Sequence, residues 1–340
     1  MTVFIVGNQT NSCLEASYRR GFEEQGVRVR TYAIFEHQRN YVRLGTFGKL
    51  FHDFVPVEAW QQKLNRELAL TIVAEKPDLV LVFGNAPVLS GTLAFVRSLT
   101  TIPFVLVWPD PLLNLQAHVQ QAALLYDGVA TFSRATVPVF EQMQFRHVYW
   151  LPLAADPALH GLDSPPNTFS YDLSFVGAWR PEREKALATI KRLFPQLRIG
   201  IWGTDWNRCQ TVALRSLARN SALRGQAYAQ AFNASRINLN VIDDTCYPAA
   251  NMRFFEIPVA HGLQLASLCP EFQETYRHQE HMLYFSDETQ LGNNIEWVLQ
   301  HPDQAATLRA AGHRQVLQAH TYAHRVAQLI DLISHIRAKP

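Results

Sequence analysis

Short apolar runs alternate with helix-periodic stretches through the first half of this chain. Apolar runs fall at Val3–Gly7, Val27–Ile34, Leu79–Phe83, Phe104–Trp108, Gly128–Phe132 and Val148–Leu151. Between them, Glu58 to Glu75 and Val88 to Leu99 place apolar residues at helical spacing. Strands that are apolar on both faces and separated by helices predict a parallel sheet covered on both sides, a Rossmann-like half. Lys76-Pro77-Asp78 stops one helix and leads into the central strand Leu79–Phe83.

From about Ala154 to Ser170 the periodicity lapses and Pro, Gly, Asp and Ser collect, which predicts a linker. A second alternating series follows. It has strands at Leu173–Val176, Ile199–Trp202, Ile237–Ile242, Leu263–Ala266 and Met282–Phe285, with helices near Glu182–Leu193 and Ala227–Ala234. Glu288 to Ile336 is almost wholly helical in pattern. The predicted organisation is a first domain over 1–155, a linker over 156–170, a second domain over 171–320 and a terminal helix over 321–340. The fold class is α/β, with two doubly wound domains facing a cleft. Ligands of open α/β sheets bind outside the carboxyl ends of the strands. The loops to weigh are therefore those after Gly7, Phe83, Trp108, Val176, Trp202 and Ile242, and the segment around Asn251.

Length and composition narrow this picture without redirecting it. The 340 residues suit two domains, and 48% apolar with 18% charged residues is ordinary for a soluble protein. Lys+Arg 31 against Asp+Glu 29 leaves a formal charge of +2 without a block of one sign, so no nucleic-acid polymer is expected. Cys13, Cys209, Cys246 and Cys269 lack zinc or redox spacing and read as reduced thiols. No signal-peptide core opens the chain and no apolar run is long enough to span a membrane. A cytoplasmic protein is the expectation.

Candidate chemistry sits in a few loops. Gly7-Asn8-Gln9-Thr10-Asn11-Ser12 is not a G-x-G-x-x-G fingerprint, which disfavours a nicotinamide enzyme; it reads either as a cleft lining or as a turn with Asn11 or Ser12 as N-cap. Trp108-Pro109-Asp110-Pro111 holds Asp110 between two prolines at a sheet edge, either as a general base or hydroxyl anchor or as a turn aspartate. After Val176, Gly177 lets a ligand approach backbone, while Arg180 and Arg183 stand at the positive start of the next helix. Trp202-Gly203-Thr204-Asp205-Trp206 offers aromatics for a base, or for the core.

Asn251-Met252-Arg253-Phe254-Phe255-Glu256 predicts an N-capped helix with Arg253 and Glu256 on one face. Such a segment either grips a nucleotide diphosphate, with Arg on phosphate and Glu on sugar hydroxyls, or is a surface helix with an i,i+3 ion pair. His320/His324 and His278/His281 lack a third ligand, and Asp243-Asp244 reads as a turn, so no metal site is expected.

Taken in order, six segments resemble the spore-maturation CgeB-like proteins, glycosyltransferases of group 1 type with the two-Rossmann GT-B fold. They are D-L-S-F-V-G-A-W-R-P-E-R, I-W-G-T-D-W, G-Q-A-Y-A-Q-A-F-N-A-S-R-I-N-L-N, N-M-R-F-F-E-I-P-V-A-H-G, M-L-Y-F-S-D and H-T-Y-A-H-R, spread over about half the chain. The resemblance implies a hexosyltransferase-like enzyme with a nucleotide-diphosphate sugar as donor substrate and no metal or other cofactor. The acceptor would be an unidentified saccharide, protein or small molecule. It further implies Glu256 on the donor ribose and Gly177, Arg180 and Arg253 around the diphosphate, with Asn251 assisting. The loop of Trp202 and Gly203 would lie beside the nucleotide, Asp110 would serve the acceptor hydroxyl, and the terminal helix would cross back to the first domain. Many related transferases carry a second glutamate eight residues before the ribose one, where this chain has Pro248, and Pro258 falls inside the expected helix. Other functions on this fold are a non-catalytic nucleotide-sugar binder or partner subunit, or a nucleotide-sugar epimerase or hydrolase.

Overall fold

The computed structural model describes residues 1–40 and 58–338, so the aromatic, basic stretch Phe35 to Phe51, a candidate acceptor lining, lies beyond Asn40 outside the described residues. Two compact units emerge. Unit 1 is Met1–Pro152 together with the chain from Ala323 on, and unit 2 is Leu153–Tyr322. The stretch from 156, expected to be a linker, is thus part of unit 2. Its Asp and Pro are helix-start residues: Asp156 accepts from the Ala158 N–H and caps the helix Pro157–His160.

In unit 1, β1 (Thr2–Gly7), β2 (Arg28–Ala33), β3 (Leu79–Phe83), β4 (Phe104–Trp108), β5 (Gly128–Thr131) and β6 (Val148–Trp150) form one sheet. All pairings are parallel, in the order β2-β1-β3-β4-β5-β6. Every residue of β3 and β4 is buried, as their unbroken apolar runs require. Leu64, Leu68 and Ile72 of the helix Glu58–Glu75 pack with Phe4, Val80, Val82 and Leu106. The edge strand β2 keeps Arg28 and Arg30 exposed, charges that discourage pairing with another chain. Neither Asn11 nor Ser12 caps the first helix: Cys13 holds the cap position, and the side-chain Oδ1 of Asn8 accepts from the Gln9 and Thr10 N–H groups. The final helix, Tyr322–Ala338, joins this unit through Arg325, which is buried and donates from Nε to the Pro152 carbonyl at 2.9 Å.

Unit 2 repeats the plan with β7 (Tyr171–Val176), β8 (Ile199–Trp202), β9 (Ala218–Arg219), β10 (Ser235–Asn240), β11 (Gln264–Ser267) and β12 (Leu283–Phe285), ordered β12-β11-β10-β7-β8-β9. The two-residue edge strand β9 was not expected; it is too short to leave a period. Strand β10 carries buried polar residues, and Asn238 is satisfied by Ser174, Phe232 and Leu263. The helical end divides into Glu288–Gln300, Pro302–Ala319 and Tyr322–Ala338. Among the described residues no helix is long and apolar enough to cross a membrane.

In both sheets the chain winds outward from one strand and then returns to its other side. The reversal falls between β1 and β3 in unit 1 and between β7 and β10 in unit 2. At such a switch point the loops leaving neighbouring strands diverge and open a crevice at their carboxyl ends.

Candidate functional site

At the carboxyl end of β7 two glycines bring backbones together. Gly203, at φ +149°, lies against the Gly177 carbonyl so closely that a Cβ there would overlap it. The Gly177 N–H donates to the Trp202 carbonyl at 2.8 Å, and the Trp206 indole N–H donates to the Gly177 carbonyl at 2.9 Å. Trp202 itself is buried with Val176, Phe232 and Ile257, edge-on to Tyr171, and Trp206 packs on Phe175. Both indoles are core, so what this loop presents is backbone. A Cβ on Gly177 would stand 3.2 Å from Arg253 Nη1.

Three arginines fill that side of the switch point. Arg183, buried, donates from Nη2 to Asp243 Oδ2 at 2.7 Å and from Nη1 to the Ala178 carbonyl at 2.7 Å. Arg180, half exposed, has Nε 4.0 Å from the same Asp243 oxygen. Arg253 stacks toward Phe175, 6.0 Å from ring centroid to Cζ, and its Nε donates to Asn240 Oδ1 at 3.3 Å. Burial and the neighbouring Arg253 charge lower the Arg183 pKa to about 10. Burial would raise the Asp243 carboxyl, but the Thr245 hydroxyl and then Arg183, Arg180 and Arg253 more than offset it and hold it below the ordinary value. Asp243 is one carboxylate among three cations, so the cluster carries a surplus of positive charge suited to a diphosphate.

The segment entering the next helix is buried. Asn251 accepts from the Phe254 N–H at 3.2 Å, so it caps the helix, and it exchanges amide bonds with Asn240 at 2.9 and 3.1 Å. Arg253 and Glu256 do not pair with each other among the described residues; Arg253 turns to Gly177 and Asn240, and Glu256 turns to Tyr228 and His160. The surface helix with an ion pair is therefore not what forms, because Phe254 to Val259 are all buried and leave no solvent face. Pro258 does fall inside this helix, Arg253–Val259, and removes the N–H that would have met the Phe254 carbonyl. Gln264 supplies the replacement, donating from Nε2 to that carbonyl at 3.2 Å.

Glu256 is 5% exposed. The Tyr228 hydroxyl donates to Oε2 at 2.6 Å, and His160 Nδ1 stands 3.8 Å from Oε1. Sequence reasoning did not single out His160, Tyr228 or Asn240, and took Asp243 for a turn residue. Asn240 alone gave a signal, as an amide in an apolar strand. His160 and Tyr228 come from a stretch read as linker and from a helix read only for its period.

Asp110 lies in unit 1 after β4, half-buried, and burial raises its pKa. Gly84, at φ +52°, leaves room beside it: a Cβ there would be 4.0 Å from Asp110 Oδ2. Asn85 ties the two loops by donating to the Asn114 carbonyl at 2.7 Å. The paired histidines serve the backbone: His281 Nδ1 accepts from Arg277 N–H and His278 Nδ1 from Tyr284 N–H.

Residues 180–331 match a family model described as glycosyl transferase-like. No curated protein is detectably similar in sequence. Among solved structures, HepE of Anabaena in complex with UDP-glucose is 14% identical, with a TM-score of 0.65 over 98% of this chain and 99% of that one. A glycosyltransferase of Rickettsia africae is 12% identical, with a TM-score of 0.65 over 100% and 99% of the two chains. Sucrose-phosphate synthase of Thermosynechococcus elongatus is 11% identical, with a TM-score of 0.66 over the whole of both. Two parallel six-stranded sheets with flanking helices match these GT-B structures, and the fold is theirs.

Proposed function

We propose that this chain is a hexosyltransferase-like glycosyltransferase of the CgeB-like group, moving a sugar from a nucleotide-diphosphate sugar to an acceptor hydroxyl without a metal ion. The observation that carries the reading is the convergence of Arg180, Arg183 and Arg253 beside Gly177 at the β7–β10 switch point. The family match over 180–331 and the complexes of HepE with UDP and UDP-glucose support a nucleotide-sugar donor. The donor's diphosphate would lie against Gly177 and Arg253, and the Glu256 carboxylate would accept from the ribose.

In transfer, the bond from the anomeric carbon to the diphosphate oxygen breaks and a bond to the acceptor oxygen forms. The departing diphosphate takes up negative charge, and fixed guanidinium groups stabilise it with no reorganisation at the moment of reaction. The acceptor hydroxyl gives up its proton; Asp110, with a carboxyl raised by burial, suits that role in unit 1. Titration calorimetry with UDP is the test. Arg253→Ala and Glu256→Ala are each expected to weaken binding by about tenfold or more, the scale of a lost charge-assisted hydrogen bond. Wild-type binding unaltered by EDTA is also expected. Unchanged affinity in both variants would remove the site assignment, and binding that needs added magnesium or manganese would remove metal independence.

A further inference from the structure

We infer that Tyr228 and His160 complete the ribose reader around Glu256, with Tyr228 fixing the carboxylate and His160 offering the second polar atom to the sugar diol. This deepens the proposed function and rests on its placing of Glu256 at the ribose. Three elements of unit 2 meet here. The helix Pro157–His160 ends on His160, the helix Gly225–Asn233 carries Tyr228, and Arg253–Val259 carries Glu256.

Among the described residues, hydrogen bonding divides the carboxylate into a used and an unused oxygen. Oε2 accepts the Tyr228 hydroxyl at 2.6 Å, whereas Oε1 faces His160 Nδ1 at 3.8 Å, too far for a direct hydrogen bond. Nδ1 is buried and makes no hydrogen bond among the described residues, although His160 is only 9% exposed. Leaving a buried nitrogen without a hydrogen-bond partner is unfavourable. A hydroxyl seated between Oε1 and Nδ1 would bond both at once, and a vicinal diol brings two such groups.

Tyr228 suits the fixing role because its ring is wedged, 4.6 Å from Phe232 and 5.3 Å from His160 between centroids. Burial and then the Glu256 charge push its phenol well above the ordinary value, so the hydroxyl stays a donor. Without that bond the carboxylate would rotate about its last torsion, which is broad for a terminal carboxyl.

The experiment compares the best-binding of ADP, CDP, GDP and UDP with its 2′,3′-dideoxy counterpart by titration calorimetry. Wild type is expected to prefer the ribose form by about tenfold or more, the range of one or two hydrogen bonds to a charged group. Glu256→Gln, Tyr228→Phe and His160→Phe should each lose most of that preference while binding the dideoxy form within about twofold of wild type, which certifies the fold. His160→Asn, which returns a polar atom near Nδ1, should recover part of it. Ribose preference intact in Tyr228→Phe and His160→Phe but lost in Glu256→Gln would overturn the inference and leave the functional reading standing. Preference intact in Glu256→Gln, or no diphosphate bound, would overturn the reading itself. Should Tyr228→Phe fail to fold, the His160 pair carries the same comparison.

Discussion

At Asp110 one carboxylate combines two properties seldom joined on a turn. Prolines on both sides limit its backbone, and burial lifts its pKa toward the range where a carboxylate removes protons well. Gly84 matters to it through absence: at φ +52° it adopts a conformation strained for other residues and puts no side chain near Oδ2. Asp110→Asn preserves shape and hydrogen-bonding reach but cannot accept the acceptor's proton. Expected is a fall in turnover of about a hundredfold or more, the usual contribution of a positioned base, with UDP affinity unchanged. A radiolabelled transfer assay beside calorimetry checks it, and full turnover in the variant would strike Asp110 from the mechanism.

The helix Arg253–Val259 owes its form to partners outside itself. Its seven residues are too few for independent stability, and Pro258 costs it a backbone bond. Asn251 at one end, Asn240 beside it and Gln264 beneath it satisfy the open backbone and side-chain groups. Gln264→Leu is therefore expected to destabilise unit 2 by about 1–3 kcal/mol, since it leaves the Phe254 carbonyl and an Asn240 amide proton without partners. Urea denaturation followed by tryptophan fluorescence measures it, and a change within about 0.5 kcal/mol, the ordinary range of a surface substitution, would contradict the account.

The same helix marks the boundary of what the sequence made legible. Apolar runs such as Leu79–Phe83 and Phe104–Trp108 correspond to β3 and β4 residue for residue, because central parallel strands are buried on both faces. The Asn251 cap and the Arg253 and Glu256 positions were visible as local chemistry. Their partners were not. Tyr228 lies 28 positions from Glu256, and Asp243 lies 60 from Arg183, and only the winding of the sheet brings such residues together. Asp156-Pro157 looked like linker because helix starts and loops favour the same residues.

On the scale of the whole chain, histidine burial sets the response to acid. His118, His261, His278 and His281 are all lowered, in each case first by burial, and His261 also by its stacked neighbour His313 at 3.6 Å between ring centroids. The unfolded chain takes up protons on them near the ordinary value of about 6.5, and the native state resists until lower pH. Their contribution is thus fully present above about pH 6.5 and lost as pH falls through the lowered native values. Glu184 behaves in the same direction in a lower window. Burial opposes its ionisation, but bonds from Trp179 and Thr211 hold it at about 2, so its share disappears only below its ordinary value of 4.5. Expected is a urea midpoint that drops between pH 7.5 and pH 5.5 and drops less in His261→Gln. A flat midpoint over that interval would contradict the assignment of these imidazoles.

The bridge between Ala155 and Thr321 bears on how such a chain is made. Ala155 donates to the His320 carbonyl at 2.8 Å and accepts from the Tyr322 N–H at 3.0 Å, so unit 2 begins and ends at one spot. It is a guest inserted whole into a host whose own sequence is split around it. A ribosome releases the guest complete before the host receives its last helix. The host's core must then be finished by a segment that arrives late, since Arg325 bonds the carbonyl of Pro152, 173 positions before it.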